Sequence, residues 1–278
     1  GHGTPILMLH GNAQTHLVFS YYEKQLSRKY RVVLMDSRAH GHSQIKPFCA
    51  RKEFTTADMA RDAAALLDSL HIDACILLGF SDGANIALEF ASLFPSRTIA
   101  VIAVSGNSAP DGLLLPVRLF FRAKYRICRA AANQSLPIFH RPFPGSFFRH
   151  RQQLTALLCH SPQITEEQLQ AIQAPVLLIA GTRDLVKVSH SRYMARQIPR
   201  AQLLLVKGGD WYVACGDNLA DLMTDTQQTR LKTALDTPYY SGNYAEAAVA
   251  FFRQSDVVLA QTLGRTNTGG QSPAPGQT

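Results

Sequence analysis

The chain has 278 residues, 46% of them apolar, and a formal net charge of +8. That length suits one large domain, or one domain with an insertion, and the apolar share is enough for a sizeable core. No run of 18 or more apolar residues appears, which excludes an ordinary membrane-spanning helix. No signal-peptide pattern stands at the start. The five cysteines (Cys49, Cys75, Cys128, Cys159, Cys215) are scattered, and none forms a Cys-x-x-Cys pair. They suit free thiols in a reducing, cytoplasmic compartment and argue against a disulfide framework or a zinc site.

Six apolar runs read as strands in chain order: Pro5 to Leu9, Tyr30 to Asp36, Ala74 to Leu78, Thr98 to Val104, Ala174 to Gly181 and Ala201 to Val206. They are continuous rather than alternating, as expected for parallel strands covered on both faces. Between the second and third, Thr56 to Leu70 places Met59, Ala60, Ala63, Leu66, Leu67 and Leu70 on one helical stripe. Thr55 or Thr56 is its expected N-cap. Another helix-like run, Ala84 to Phe90, follows the third strand. Alternating strands and helices predict an α/β fold with a mostly parallel sheet.

The stretch 110–172 breaks the alternation. It has no clear strand, and it carries seven aromatics and, among its prolines, Pro116, Pro137, Pro142 and Pro144. It predicts a helical lid inserted into a core made of residues 1–109 and 173–263. A final helix is expected at Ala245 to Arg253, and residues 264–278, rich in Gly, Pro, Ser, Thr and Gln, are expected to be disordered. The charge is localised too. Between Gly112 and Thr165 there are eight basic residues and no acidic one, which leaves 20 basic against 20 acidic residues elsewhere. Such a segment fits a lid whose basic face is solvated, or one that meets an anionic or interfacial substrate. Nucleic-acid binding is not expected, because no matching fold motif is present.

Four motifs stand at strand ends, in one order. His10-Gly11-Asn12 follows the first strand, and Asp36-Ser37-Arg38-Ala39-His40-Gly41-His42-Ser43 the second. Gly79-Phe80-Ser81-Asp82-Gly83 follows the third, and Gly181-Thr182-Arg183-Asp184 the fifth. Gly-x-Ser-x-Gly between a strand and a helix makes a nucleophile elbow: two glycines permit a tight, strained turn that pushes the serine hydroxyl out.

On these motifs the chain resembles the α/β-hydrolase superfamily, in particular small bacterial hydrolases with an HGN loop, a DSRGHGxS segment and a GFSDGGN elbow. The likeness runs from about Gly3 to Ala214 and is strongest before residue 110. It implies that Ser81 is the nucleophile and Asp184 the triad acid. It implies that the backbone N–H groups of Asn12 and Asp82 form the oxyanion hole. It also implies two further strands ahead of Pro5 that this sequence does not show. No cofactor or metal is implied.

The same resemblance exposes a departure. The family's histidine lies after the sixth strand in a Gly-Asp-His-Phe context, and here that run is Gly209-Asp210-Trp211-Tyr212. Indole has one N–H donor and no usable lone pair, so Trp211 cannot relay the serine proton. His190 is the candidate substitute base, although a helix-start histidine is the ordinary reading of that position. His10 is expected to shape the oxyanion loop, and His40 and His42 to be structural. Two functions follow. One is a serine hydrolase acting on a small carboxylic ester or related acyl compound, impaired by the missing histidine. The other is a degenerate hydrolase that binds a ligand or partner without turnover. Lyase or cofactor-free oxygenase chemistry on the same scaffold gains nothing here, since it too needs the histidine.

Overall fold

A computed structural model describes residues 1–43, 53–133, 145–206 and Gly209 of the chain. Six strands, β1 (Pro5–Leu9), β2 (Arg31–Met35), β3 (Cys75–Phe80), β4 (Thr98–Val104), β5 (Val176–Gly181) and β6 (Ala201–Val206), form one sheet in the order β2-β1-β3-β4-β5-β6. Every pairing among them is parallel. The helices are α1 (Ser20–Leu26), α2 (Thr56–Ser69), α3 (Asp82–Leu93), α4 (Leu115–Ala132), α5 (Gly145–His160), α6 (Glu166–Gln170) and α7 (Val188–Gln197). This is the α/β-hydrolase fold, with its strands where the apolar runs stand in the sequence.

Side chains of period two divide the core into two layers. Leu7, Leu9, Leu77, Val101 and Leu178 face a cluster with Met59, Ala63 and Leu67 of α2, Ile86 and Phe90 of α3, and Met194 of α7. Ile6, Met8, Ile76, Leu78, Ile102 and Ile179 face the other way, onto Phe19, Tyr22 and Leu26. The inner strands β3 and β5 are buried throughout, as continuous apolar runs predict. The edge strands β2 and β6 depart from that expectation and stay partly exposed, because each has a neighbour on one side only among the described residues.

Local signals set the helix boundaries. Thr55 caps α2: its side chain accepts from the Asp58 N–H at 3.1 Å, while the Asp58 carboxylate accepts from the Thr55 N–H at 2.9 Å. This reciprocal box satisfies two otherwise orphaned donors. The α2 stripe is buried at Met59, Ala60, Ala63 and Leu67, with Leu66 and Leu70 partly covered. α3 begins directly after Ser81, two residues earlier than the apolar run suggests.

Residues between β4 and β5 form α4, α5 and α6 and contribute no strand among the described residues. Among the described residues no helix is long and apolar enough to cross a membrane. Cys75, Cys128 and Cys159 are free thiols, and burial pushes the Cys75 thiol up to about 12. Trp211, the expected helix at 245–253 and the segment 264–278 lie outside the described residues.

Two glycines at the elbow leave no room for a side chain. A Cβ on Gly83 would stand 1.8 Å from the Leu9 carbonyl oxygen, and one on Gly79 would stand 2.2 Å from the Gly83 carbonyl oxygen. Neither partner can yield, since both are main chain. Gly83→Ala should therefore lower the unfolding free energy by about 2–3 kcal/mol or more. Urea titration of the variant checks this; an unchanged midpoint would mean that the helix and strand can part without cost.

Candidate active site

Parallel pairing gathers the motifs at one end of the sheet. Leu9 lies opposite Gly79, Phe80 opposite Val104, and Val104 opposite Ile179. The residues just beyond the carboxyl ends of β1, β3, β4 and β5 are therefore neighbours. Ligands of open α/β sheets bind in such a crevice.

Ser81 sits at φ 55° and ψ −120°, a left-handed conformation unusual for a residue with a Cβ. Three bonds hold it there. Its N–H donates to the Val104 carbonyl at 2.8 Å, and its carbonyl accepts from the N–H groups of Ala84 at 2.9 Å and Asn85 at 3.1 Å. Its side chain makes no cap hydrogen bond to the α3 that it opens, which leaves the hydroxyl uncommitted there.

The loop after β1 runs past the serine at close range: a Cβ on Gly11 would stand 3.1 Å from the Ser81 Cβ. The main-chain N–H groups of Asn12 and Asp82 form no hydrogen bond outside regular elements among the described residues. The side chains of this pair do interact, which sequence reasoning missed. The Asn12 amide donates to the Asp82 carboxylate at 2.9 Å and to the Leu154 carbonyl of α5, also at 2.9 Å. One amide thus ties the β1 loop to the elbow helix and to the inserted helices. Nothing in the sequence signals a bond across 142 residues.

Histidines shape the same loop in their neutral form. His10 Nδ1 lies 2.8 Å from the Gly11 carbonyl, which can only accept, and its Nε2 accepts from the Ser37 N–H at 3.0 Å. His40 repeats the pattern, with Nδ1 2.9 Å from the Arg38 carbonyl and Nε2 accepting from the Ala13 N–H at 3.0 Å. Each ring must therefore carry its proton on Nδ1. The two rings meet edge to face at 4.9 Å. Burial lowers both pKa values, that of His40 to about 4. The loops after β1 and β2 are joined through these rings, as expected for structural histidines.

Asp36 completes the join. It accepts from the N–H groups of His16 at 2.8 Å and His42 at 2.9 Å, and from the His16 ring at 2.9 Å. Burial by itself would raise its pKa, but these donors outweigh it and hold the carboxyl well below the usual range.

Asp184 lies just past β5 and is 2% exposed. Its carboxylate accepts from the Ser105 hydroxyl at 2.6 Å, and more distantly from the N–H groups of Val186 at 3.3 Å and Gly181 at 3.4 Å. No described cation pairs with it. Ser105 went unread in the sequence; its one peculiarity, a left-handed φ of 54°, is visible only in the fold. The loop after β6 returns to this place, since the Gly209 carbonyl accepts from the Arg183 N–H at 2.8 Å. Trp211 follows two residues later in the sequence.

His190 is engaged elsewhere. Its Nε2 accepts from the Ser108 N–H at 3.1 Å, with the Ser108 hydroxyl at the same distance, and Gly112 packs close against the ring. Burial lowers its pKa. The lone pair that a general base needs is already holding the loop after β4, and no hydrogen bond joins His190 to Ser81 or Asp184 among the described residues. The geometry fits a loop clamp near the start of α7.

Asp82 is fully buried, and desolvation pushes its carboxyl up to about 6, against the Asn12 hydrogen bond that opposes the rise. An acid raised in the folded state favours folding while protonated. That advantage disappears as pH climbs from about 4 through 6. Asp82→Asn does not titrate, so its stability relative to the parent should improve by about 2–3 kcal/mol between pH 4 and pH 7.5. Urea unfolding of both proteins at the two pH values measures this; parallel behaviour would mean that the carboxyl titrates normally.

Residues 4–135 match the family of the alpha/beta hydrolase fold. Over 209 residues the chain is 26% identical to RutD of Pseudomonas syringae, a protein provisionally named a carbamate hydrolase, with 66% of this chain and 77% of that one covered. It is 30% identical over 111 residues to the AB hydrolase superfamily protein YisY of Bacillus subtilis, 40% of each chain. The crystal structure of E-2-(acetamidomethylene)succinate hydrolase superposes with a TM-score of 0.63 at 20% identity, over 85% of this chain and 93% of that one. At that identity the likeness speaks for the fold. The sheet has the α/β-hydrolase fold, and the family match over residues 4–135 and the relatives support that superfamily.

Proposed function

We propose that the protein is a serine hydrolase acting on a small carboxylic ester or related acyl compound through Ser81, with turnover impaired because Trp211 stands at the family histidine's place in the sequence. One observation carries this: Ser81 is held in a left-handed turn at the carboxyl edge of the sheet, with its hydroxyl free of the helix it opens. Support comes also from the hydrolase names borne by relatives such as RutD and YisY.

In this mechanism the Ser81 oxygen attacks the acyl carbonyl, and the carbonyl oxygen takes up the negative charge. The N–H groups of Asn12 and Asp82 receive that oxyanion, a stabilisation that matters most in the transition state. Collapse expels the alcohol and leaves an ester on Ser81, which water then cleaves. The proton of Ser81 needs a base, and an indole offers none. Loss of the histidine from such a triad costs a factor on the order of 10⁴ to 10⁶. The helices inserted between β4 and β5 would act as the lid of this site; the Asn12 bond to Leu154 is what ties them to it.

A second reading is ligand binding without turnover on the same scaffold. It is favoured by His190, whose lone pair is committed to Ser108 and does not replace the missing base.

Labelling of the purified protein with a fluorophosphonate probe separates the two. Slow labelling that disappears in Ser81→Ala is the expected result for a hydrolase. A folded sample that takes no label at all would favour the binding protein instead.

A further inference from the structure

α4 presents to solvent a face that a soluble domain ordinarily covers. Leu115, Leu119, Ala123 and Ile127 recur every four residues, so they stack along one side of the helix, with Phe120 beside them. Leu115 is 58% exposed, Leu119 55%, Phe120 62% and Ile127 56%. At 1.5 Å per residue the stripe is about 18 Å long. Arg118, Arg122, Arg126 and Arg129 run along one flank, also at spacings of three and four. None of these guanidiniums forms an ion pair among the described residues. No acidic residue lies between Gly112 and Thr165, and Glu53, from outside that segment, packs against the helix by accepting from the Tyr125 hydroxyl at 2.7 Å.

We propose that this face of α4 docks the protein on an anionic lipid surface. Exposed large apolar side chains beside a row of arginines are what an interfacial helix presents: the apolar stripe enters the headgroup boundary while the guanidiniums meet lipid phosphates. Charge decides against the other obvious occupant. A second copy of the chain, applied face to face about a two-fold axis, would bring two rows of four guanidiniums together with nothing between them. α4 is not apolar enough to cross a bilayer, so the helix lies on the surface.

The fold places the start of this helix near the candidate site. The Leu114 N–H, at the start of α4, donates to the Leu185 carbonyl at 2.9 Å, one residue past Asp184. α4 also packs along α5, whose Leu154 carbonyl accepts from Asn12. The proposal goes beyond the catalytic reading and does not need it, because docking requires neither Ser81 nor a base.

Flotation of the purified chain with lipid vesicles tests it. At 100 mM NaCl, partition into vesicles of phosphatidylcholine with about one third phosphatidylserine should exceed that into pure phosphatidylcholine at least tenfold, and 500 mM NaCl should weaken it. Leu119→Ser/Phe120→Ser and Arg122→Glu/Arg126→Glu should each cut binding at least tenfold while keeping the parent's circular dichroism. Ser81→Ala should bind as the parent does. Absence of binding, equal binding to the neutral and anionic vesicles, or full binding by both variants would overturn the proposal. So would a dimer in sedimentation that Leu119→Ser/Phe120→Ser dissolves, which would assign the face to a second copy.

Discussion

The close approach of α3 to the end of β1 is the constraint on which the site depends. Gly83 packs its bare Cα against the Leu9 carbonyl, so the helix can begin one residue after the elbow and point back across the sheet. Ser81 is then forced into the left-handed region, and the register with Val104 keeps it there. Strain of this kind persists only where the surroundings over-determine it. Here two glycines, three main-chain hydrogen bonds and two layers of buried aliphatic side chains do so. The serine takes this conformation because the packing of helix and sheet holds the turn there.

Around that turn lies a set of polar ties that fix loops instead of supplying chemistry. His10 and His40 each use both ring nitrogens on main-chain partners, which fixes one tautomer and keeps them neutral. Asp36 fastens the same two loops through its carboxylate. His190 clamps the loop after β4 through Ser108, and Ser105 holds Asp184. Buried polar groups that are fully paired give a loop one conformation, and oxyanion donors are useful only when their positions are fixed beforehand. Asp184 differs from the rest: it is buried, oriented by a hydroxyl and two N–H groups, and has no cation beside it among the described residues.

Much of the fold was legible in the sequence. Continuous apolar runs such as Thr98 to Val104 are long and rich in β-branched residues, and strands buried on both faces carry that signature. Thr55 or Thr56 marked the start of α2, and Gly79 and Gly83 announced the elbow; the reciprocal bond from Asp58 appeared only in the fold. What could not be read were contacts between residues far apart in the chain: Asn12 with Leu154, Ser105 with Asp184, His190 with Ser108. Each depends on side-chain direction across separate loops, and no periodicity encodes that. Strand ends also moved, β3 running on to Phe80, because pairing with β4 continues past the last aliphatic residue.

If the scaffold is complete except for its base, restoring an imidazole at position 211 should restore chemistry. The direct measurement is hydrolysis of a chromogenic acetate ester by Trp211→His, beside the parent and the Trp211→His/Ser81→Ala double variant. The expected result is a gain of at least about 100-fold in the single variant that vanishes in the double. A Trp211→His protein that unfolds at the parent's urea midpoint yet hydrolyses no faster would contradict the account.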